Sequence, residues 1–210
     1  MKKLLLPFAV LGLLTACWGT PHEPKVINCW LAEPADLANV RRIMVLPFGK
    51  ETSVEADCNK VRDAFVAELQ KLRRFAVVPL PSDAAEDDVL NRSLTRGRVS
   101  SDALVRLCSR YGVDGVFLGT VTTYRPYQPQ QLGMRTQLVS VHSGSPVWAV
   151  DAIYDAAERT TISDVRHFVE HTQRDDGNLH NWEMNLISPG KFTAFVAHRF
   201  VGTWAESVAD

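Results

Sequence analysis

The stretch Tyr111–Tyr124, YGVDGVFLGTVTTY, constrains the fold more than any other part of this chain. Tyr111-Gly112 reads as a helix end, since glycine takes the left-handed conformation that closes a helix without steric cost. Asp114-Gly115 reads as a turn. Val116 to Val121 then forms a short apolar, β-branched run, the pattern of a strand covered on both faces. Gly119 inside that run marks a bulge or a close approach of another group to the backbone. A strand covered on both faces needs helices on either side, and the flanking sequence supplies them.

Before this strand, Arg42 to Phe48 reads as a strand that ends at Pro47. Asp57 is a good N-cap, and Val61, Phe65, Leu69 and Leu72 recur at helical spacing. Phe75 to Val78 is a second strand, stopped by Pro79 and Pro81. Strand, helix and strand in that order imply a right-handed crossover and parallel pairing. Ser82 to Leu94 is acidic and reads as a short helix or loop. Ser100 or Ser101 caps the next helix, with Leu104, Leu107, Cys108 and Tyr111 as its apolar stripe. After the central strand, Arg135–His142 and Val147–Tyr154 alternate around a Ser143-Gly144-Ser145-Pro146 turn, which predicts a β-hairpin. Val139 and Val141 share one face of its first strand; Trp148, Val150, Ala152 and Tyr154 share one face of the second. Ser163 caps a helix through Gln173. Ser188-Pro189 opens a last helix, whose stripe of Phe192, Phe195, Val196, Phe200 and Trp204 packs on the sheet or, in part, binds a partner. The predicted fold is α/β: a three-layer-like mixed sheet of about five strands, parallel β/α units followed by an antiparallel hairpin, with helices on both faces.

The N-terminus carries an address. Lys2-Lys3 precede an apolar stretch, Leu4–Leu14, too short to span a bilayer and suited to a secretory leader. Leu14-Thr15-Ala16-Cys17 resembles the bacterial lipobox, in which the cysteine becomes the lipidated first residue. The alternative is an ordinary signal peptide with a coincidental cysteine. Residues 1–16 are thus expected as a signal peptide, 17–40 as a lipidated tether with Pro21, Pro24 and Pro34, and 41–210 as the domain. Cys29 and Trp30 either dock on the domain or belong to the linker. Trp18, where an inner-membrane signal would place Asp, resembles an outer-membrane address. The expected location is the periplasmic face of the outer membrane, with the bilayer as partner through Cys17.

The order of these segments resembles the domain shared by the curli secretion lipoprotein CsgG, the penicillin-binding-protein activator LpoB and the N-terminal domain of TolB. The residues that carry the likeness are Ile43–Phe48, the helix from Val61, Phe75–Val78, Tyr111–Val121 and Ser143–Trp148, within residues 41–157. The resemblance implies a non-catalytic adaptor or assembly factor of the cell envelope, with a protein partner. The polar loop Tyr124–Gln131, in particular Tyr124, Arg125, Tyr127 and Gln128, and the exposed side of the last helix are the expected contacts. An oligomeric secretion component of CsgG type is the alternative, with the chain as a homo-oligomer. Its membrane hairpins would need strands of about 9–11 residues with an apolar outer face; the candidate insertions, Tyr124–Gln137 and Pro81–Ser100, are polar.

Other chemistry is weakly written. Formal net charge is -1, and no basic block is longer than a pair or two, as at Arg41-Arg42 and Arg73-Arg74, so no nucleic-acid footprint is expected. His167-Phe168-Val169-Glu170-His171 spells H-x-x-E-H, which can hold Zn²⁺ for a hydrolase. A third ligand would have to come from Glu183, Glu206 or Asp210; His180 with Glu183 would instead complete a non-catalytic site. The bland reading is a solvated helix face, and no cofactor or metal is expected. Of the other cysteines, Cys108 is expected as a buried thiol; Cys29 and Cys58 pair, or none does.

Overall fold

The computed structural model describes residues 22–80, 99–172 and 181–208. The elements are β1 (Asn28–Leu31), α1 (Pro34–Ala38), β2 (Arg42–Val45), β3 (Gly49–Lys50), α2 (Cys58–Lys71), β4 (Ala76–Val78), α3 (Ser101–Tyr111), β5 (Gly115–Arg125), β6 (Gln131–Ser140), β7 (Pro146–Asp155), α4 (Arg159–Thr172), α5 (Met184–Ile187) and α6 (Pro189–Val208), with a 3₁₀ turn at Asn181–Glu183. The sheet runs β1-β7-β6-β5-β2-β4, and β3 also pairs with β5. β2 is parallel to β4 and β5, while β5, β6, β7 and β1 are successively antiparallel. The mixed α/β fold is as expected, with seven strands instead of about five; the additions are β1 and β3.

Local signals act as read. Asp57 accepts from the Lys60 N–H and Ser100 from the Ala103 N–H, so each satisfies a donor at its helix start. Gly112 closes α3 at φ 61°. The start of α4 differs from the reading: the helix begins at Arg159, four positions before Ser163. Asp155 sets this earlier turn, its carboxylate accepting from Ala157 N–H at 2.8 Å while its carbonyl accepts from Glu158 N–H at 3.0 Å.

Alternation along β2 and β5 divides the interior. Ile43, Val45, Phe117 and Val121 face the larger core with Phe65, Trp148, Tyr154 and the helices α2, α4 and α6. Met44, Leu46, Val116 and Val139 face the smaller core under α3, with Leu104 and Leu107. The lower end of the hairpin is therefore covered on both sides. Phe192, Phe195, Val196, Phe200 and Trp204 are all buried, so the α6 stripe belongs to the core. Each such side chain contributes about 1.5–3 kcal/mol through burial. Gly119 marks a close approach: the Phe48 ring lies against its backbone. The register irregularity of β5 falls further on, between Val121 and Thr123.

Part of the segment expected as a tether over 17–40 forms β1 and α1. Cys29 and Trp30 take the docking alternative: β1 pairs along β7, Asn28 opposite Asp151 and Leu31 opposite Trp148, and α1 buries Leu37. Burial of Leu31 and Ile27 against the larger core outweighs the prolines that made this segment read as linker.

Candidate functional site

The N-terminal segment before β1 forms a strap across α4 and α6. Lys25 N–H donates to both Asp164 carboxylate oxygens, at 3.3 and 3.1 Å, and its carbonyl accepts from the Arg199 guanidinium at 3.3 Å. The Lys25 ammonium donates to Ile153 O at 2.7 Å, pairs with Glu158 and lies 5.2 Å above the Tyr154 ring. The Asp164 side chain is fully buried; Arg199 stands 3.6 Å and His22 3.2 Å from it. This carboxylate on α4 thus holds both the strap and α6. A buried charge needs such partners to offset its lost hydration.

His22 also extends a column of imidazoles. Its ring stacks on His167 at 4.3 Å, and His167 stacks on His171 at 3.9 Å. His22 Nδ1 lies 3.1 Å from Ser163 Oγ. Loss of water around its ring, then the charges of His171 and His22, hold His167 below the ordinary histidine value; Asp164 and Glu170 pull the other way. The H-x-x-E-H residues are therefore a stacked helix face. Glu170 accepts from Arg166 Nε at 2.8 Å, and His171 Nδ1 lies 2.9 Å from the His167 carbonyl. That bond to Arg166 is the main cause holding the Glu170 carboxyl below its ordinary value. Among the described residues no three His, Cys, Asp or Glu side chains come together to hold a metal. His180 and Asp210 lie outside the described residues.

The other predicted positions separate. Tyr124 is half-buried: β5 runs on to Arg125, and Tyr124 packs against the larger core. Burial raises its phenol above the ordinary value. Arg125 Nε donates to Pro129 O at 2.6 Å, with Asp155 3.8 Å away, so it closes the 126–130 turn. Tyr127, at 78% exposure, and Gln128 remain presented to solvent. Cys29 and Cys58 are both free. Cys29 sits on edge strand β1, and β7, β6 and β5 separate it from β3, where the Cys58 thiol lies 3.7 Å from Gly49 O. That is roughly 19 Å at a strand spacing near 4.8 Å, well beyond the reach of a bridge of about 7 Å between Cα atoms. Cys108 is half-buried and free. The leader, Cys17 and residues 81–98 of the second candidate insertion lie outside the described residues.

One surface was not read from the sequence. Over β1, β7 and β6 the sheet face opposite the larger core bears a groove of about 490 Å³, lined by Asn28, Trp30, Arg135, Gln137, Ala149 and Asp151 among others. Trp30 is 52% exposed there and Ile153, on the same face of β7, 47%. No helix among the described residues is long and apolar enough to cross a membrane.

No known protein family matches the chain, and no curated protein is similar to it in sequence. Among solved structures, it is similar to the PelC dodecamer from Paraburkholderia phytofirmans, at 14% identity over 65% of this chain and 86% of that one, with a TM-score of 0.45. It is also similar to lipoprotein GNA1162 from Neisseria meningitidis, at 20% identity over 54% and 79%, TM-score 0.41. The LpoB C-terminal domain from Escherichia coli is similar at 14% identity over 54% and 81%, again with a TM-score of 0.41.

Proposed function

We propose that this chain is an envelope lipoprotein, anchored through acylated Cys17 at the periplasmic face of the outer membrane, and that it serves as a non-catalytic adaptor or assembly factor. The leader ending in Leu14-Thr15-Ala16-Cys17 and the resemblance carried by residues 41–157 support this reading. The observation that carries it is the strap. The chain just after the expected anchor is fastened to the domain through Asp164, Glu158 and Arg199. A segment serving only as a flexible spacer has no need of these contacts. With Cys17 in the bilayer, they would set which end of the domain lies next to it. The 126–130 turn lies at that same end, since Arg125, Gln131 and Asp155 are opposite one another across β5, β6 and β7. Tyr127 and Gln128 therefore meet a partner near the membrane surface.

The test has two parts. Cys17→Ser should abolish palmitate labelling in cells and move the protein from the membrane to the soluble fraction; retention in the membrane refutes the anchor. Light scattering on the protein extracted in mild detergent should show one copy alone or with a second protein. A closed ring of many copies refutes the adaptor reading in favour of a secretion component.

A further inference from the structure

The pairs Arg41-Arg42 and Arg73-Arg74 are unremarkable apart, each on its own side of α2 in the sequence. The parallel register of β2 and β4 brings them together. Arg42 lies opposite Ala76, and Ala76 N–H donates to Arg41 O at 2.8 Å. All four arginines consequently line one open recess of about 560 Å³, together with Ala38, Phe75 and Ala76 among the described residues. Among the described residues, no carboxylate is in the lining.

The four differ in what already holds them. Arg42 donates from Nε to Gly112 O at 2.8 Å and so closes the end of α3. Arg41, Arg73 and Arg74 are exposed, and their guanidinium groups make no hydrogen bond or ion pair among the described residues. Arg73 is also the one non-glycine residue there with positive φ, at 52°. An L side chain at such a position costs roughly 1–2 kcal/mol, and glycine would make this turn without that cost. The turn keeps an arginine nonetheless.

Helix-end electrostatics explains part of the cluster. Cations near the carbonyl end of α2 are favourable by about 0.3–1 kcal/mol each, but Lys71 already stands in that last turn. Cations spaced by about 8 Å repel by roughly 0.5 kcal/mol per pair even in water. An anion reverses that sign. We propose that the recess is an oxyanion site for a terminal phosphate group. Three guanidinium forks with no partner among the described residues offer paired donors. A terminal phosphate offers three free oxygens and close to two charges; a carboxylate or a phosphodiester offers two oxygens and one charge.

The recess also has a direction. It opens at the starts of β2 and β4, and the strap crosses at the far end of the sheet, beside the end of β7. The length of β5 lies between them. The phosphate is therefore carried by a soluble molecule met on the side away from the N-terminus, and is not a headgroup of the anchoring bilayer. This last point rests on the Cys17 reading; binding of phosphate does not.

The full-length protein in mild detergent, titrated calorimetrically with inorganic phosphate near neutral pH, tests the site. Saturable binding is expected, weakened about tenfold or more in Arg41→Ala/Arg73→Ala through loss of two charge-assisted forks. Arg73→Lys, which keeps the charge and removes the fork, should weaken it roughly threefold. Arg159→Ala, at the start of α4, should bind as the parent does. Thermal midpoints are compared first; if the alanine variant melts early, the lysine variant decides. No saturable binding, or equal affinity in all variants, overturns the proposal. Glycerophosphoglycerol, a soluble diester headgroup, should compete poorly. Competition as strong as that of phosphate overturns the terminal-phosphate assignment. Phosphate binding and Cys17-dependent fractionation are separate readouts, so the two readings fail separately.

Discussion

Replacing Gly119 by alanine tests how tightly the centre of this molecule is built. An added Cβ would stand 2.7 Å from Cε1 and Cζ of Phe48 and 2.8 Å from Cδ1. Ordinary carbon contacts begin near 3.5 Å, so the ring would have to retreat by roughly 0.8 Å. It has little room. Phe48 is buried, with Phe65 edge-on at 5.4 Å and Phe117 stacked at 6.1 Å. Gly119 itself is fixed by pairing with Thr136 across β5 and β6. Overpacking of this kind costs about 1–3 kcal/mol, or a melting shift of roughly 2–12 °C for a chain of this size. Urea denaturation followed by circular dichroism measures it. Gly119→Ala combined with Phe48→Leu should cost less than the sum of the two single changes, because the smaller side chain vacates the space the new methyl needs. A Gly119→Ala variant within about 0.5 kcal/mol of the parent would refute the argument that the ring is held.

Docking of the strap should depend on pH through His167. Its value is depressed in the docked structure, so the undocked state binds more protons. Docking is therefore intact above the ordinary histidine value of about 6.5 and weakens as pH falls below it. Faster hydrogen exchange of the Lys25 amide at about pH 5.5 than at 7.5, corrected for intrinsic rates and reduced in His167→Ala, is the expected result. Trp148→Phe removes the indole donor to Thr203 Oγ1, 3.1 Å away in the buried core, and leaves unfilled space beside Phe117; thermal denaturation should show a loss of about 2 kcal/mol. Glu68 is 5% exposed between Lys71 and His198. Burial would raise its carboxyl, but hydrogen bonds from His198 and Lys71 outweigh this and hold it below the ordinary value. Its contribution is present above that ordinary value and lost as pH falls through the depressed one. Glu68→Gln should accordingly flatten the acid limb of a stability-versus-pH curve.

What could be read from the sequence was set by local chemistry. Asp57, Ser100 and Gly112 act within a few residues of their own position, so their roles follow from residue type. The apolar alternation of β7 likewise needs no partner to be recognised. β1 is different: Asn28-Cys29-Trp30-Leu31 has no strong pattern of its own and is a strand because β7 offers it an edge. Tyr124 reads as part of a loop for a related reason. The proline-rich residues that follow it suggested a loop, but β6 and β7 extend the ladder to Arg125, Gln131 and Asp155. The candidate sites show the same limit. The His167–Glu170–His171 spacing was visible, yet the ring that stacks on it belongs to His22. Neither arginine pair is a signal until β2 and β4 align them. Long-range register decided both, and a single sequence does not carry it.

With a lipid anchor at Cys17, as proposed, the strap would also set how large a space the domain can search. With Cys17 as the anchor proposed above, a free tether through residue 40 would allow a reach of roughly 80 Å. With the chain fastened at His22 and Lys25, five residues remain, which span about 17 Å. Effective concentration of a tethered domain at a nearby target falls as about the three-halves power of linker length, so the shortened leash raises it roughly tenfold. It also forfeits any target standing further from the bilayer. Under the proposed anchoring, the same few contacts on Asp164 would exchange range for local abundance, and a partner would have to reside close to the membrane or extend a part of itself down to it.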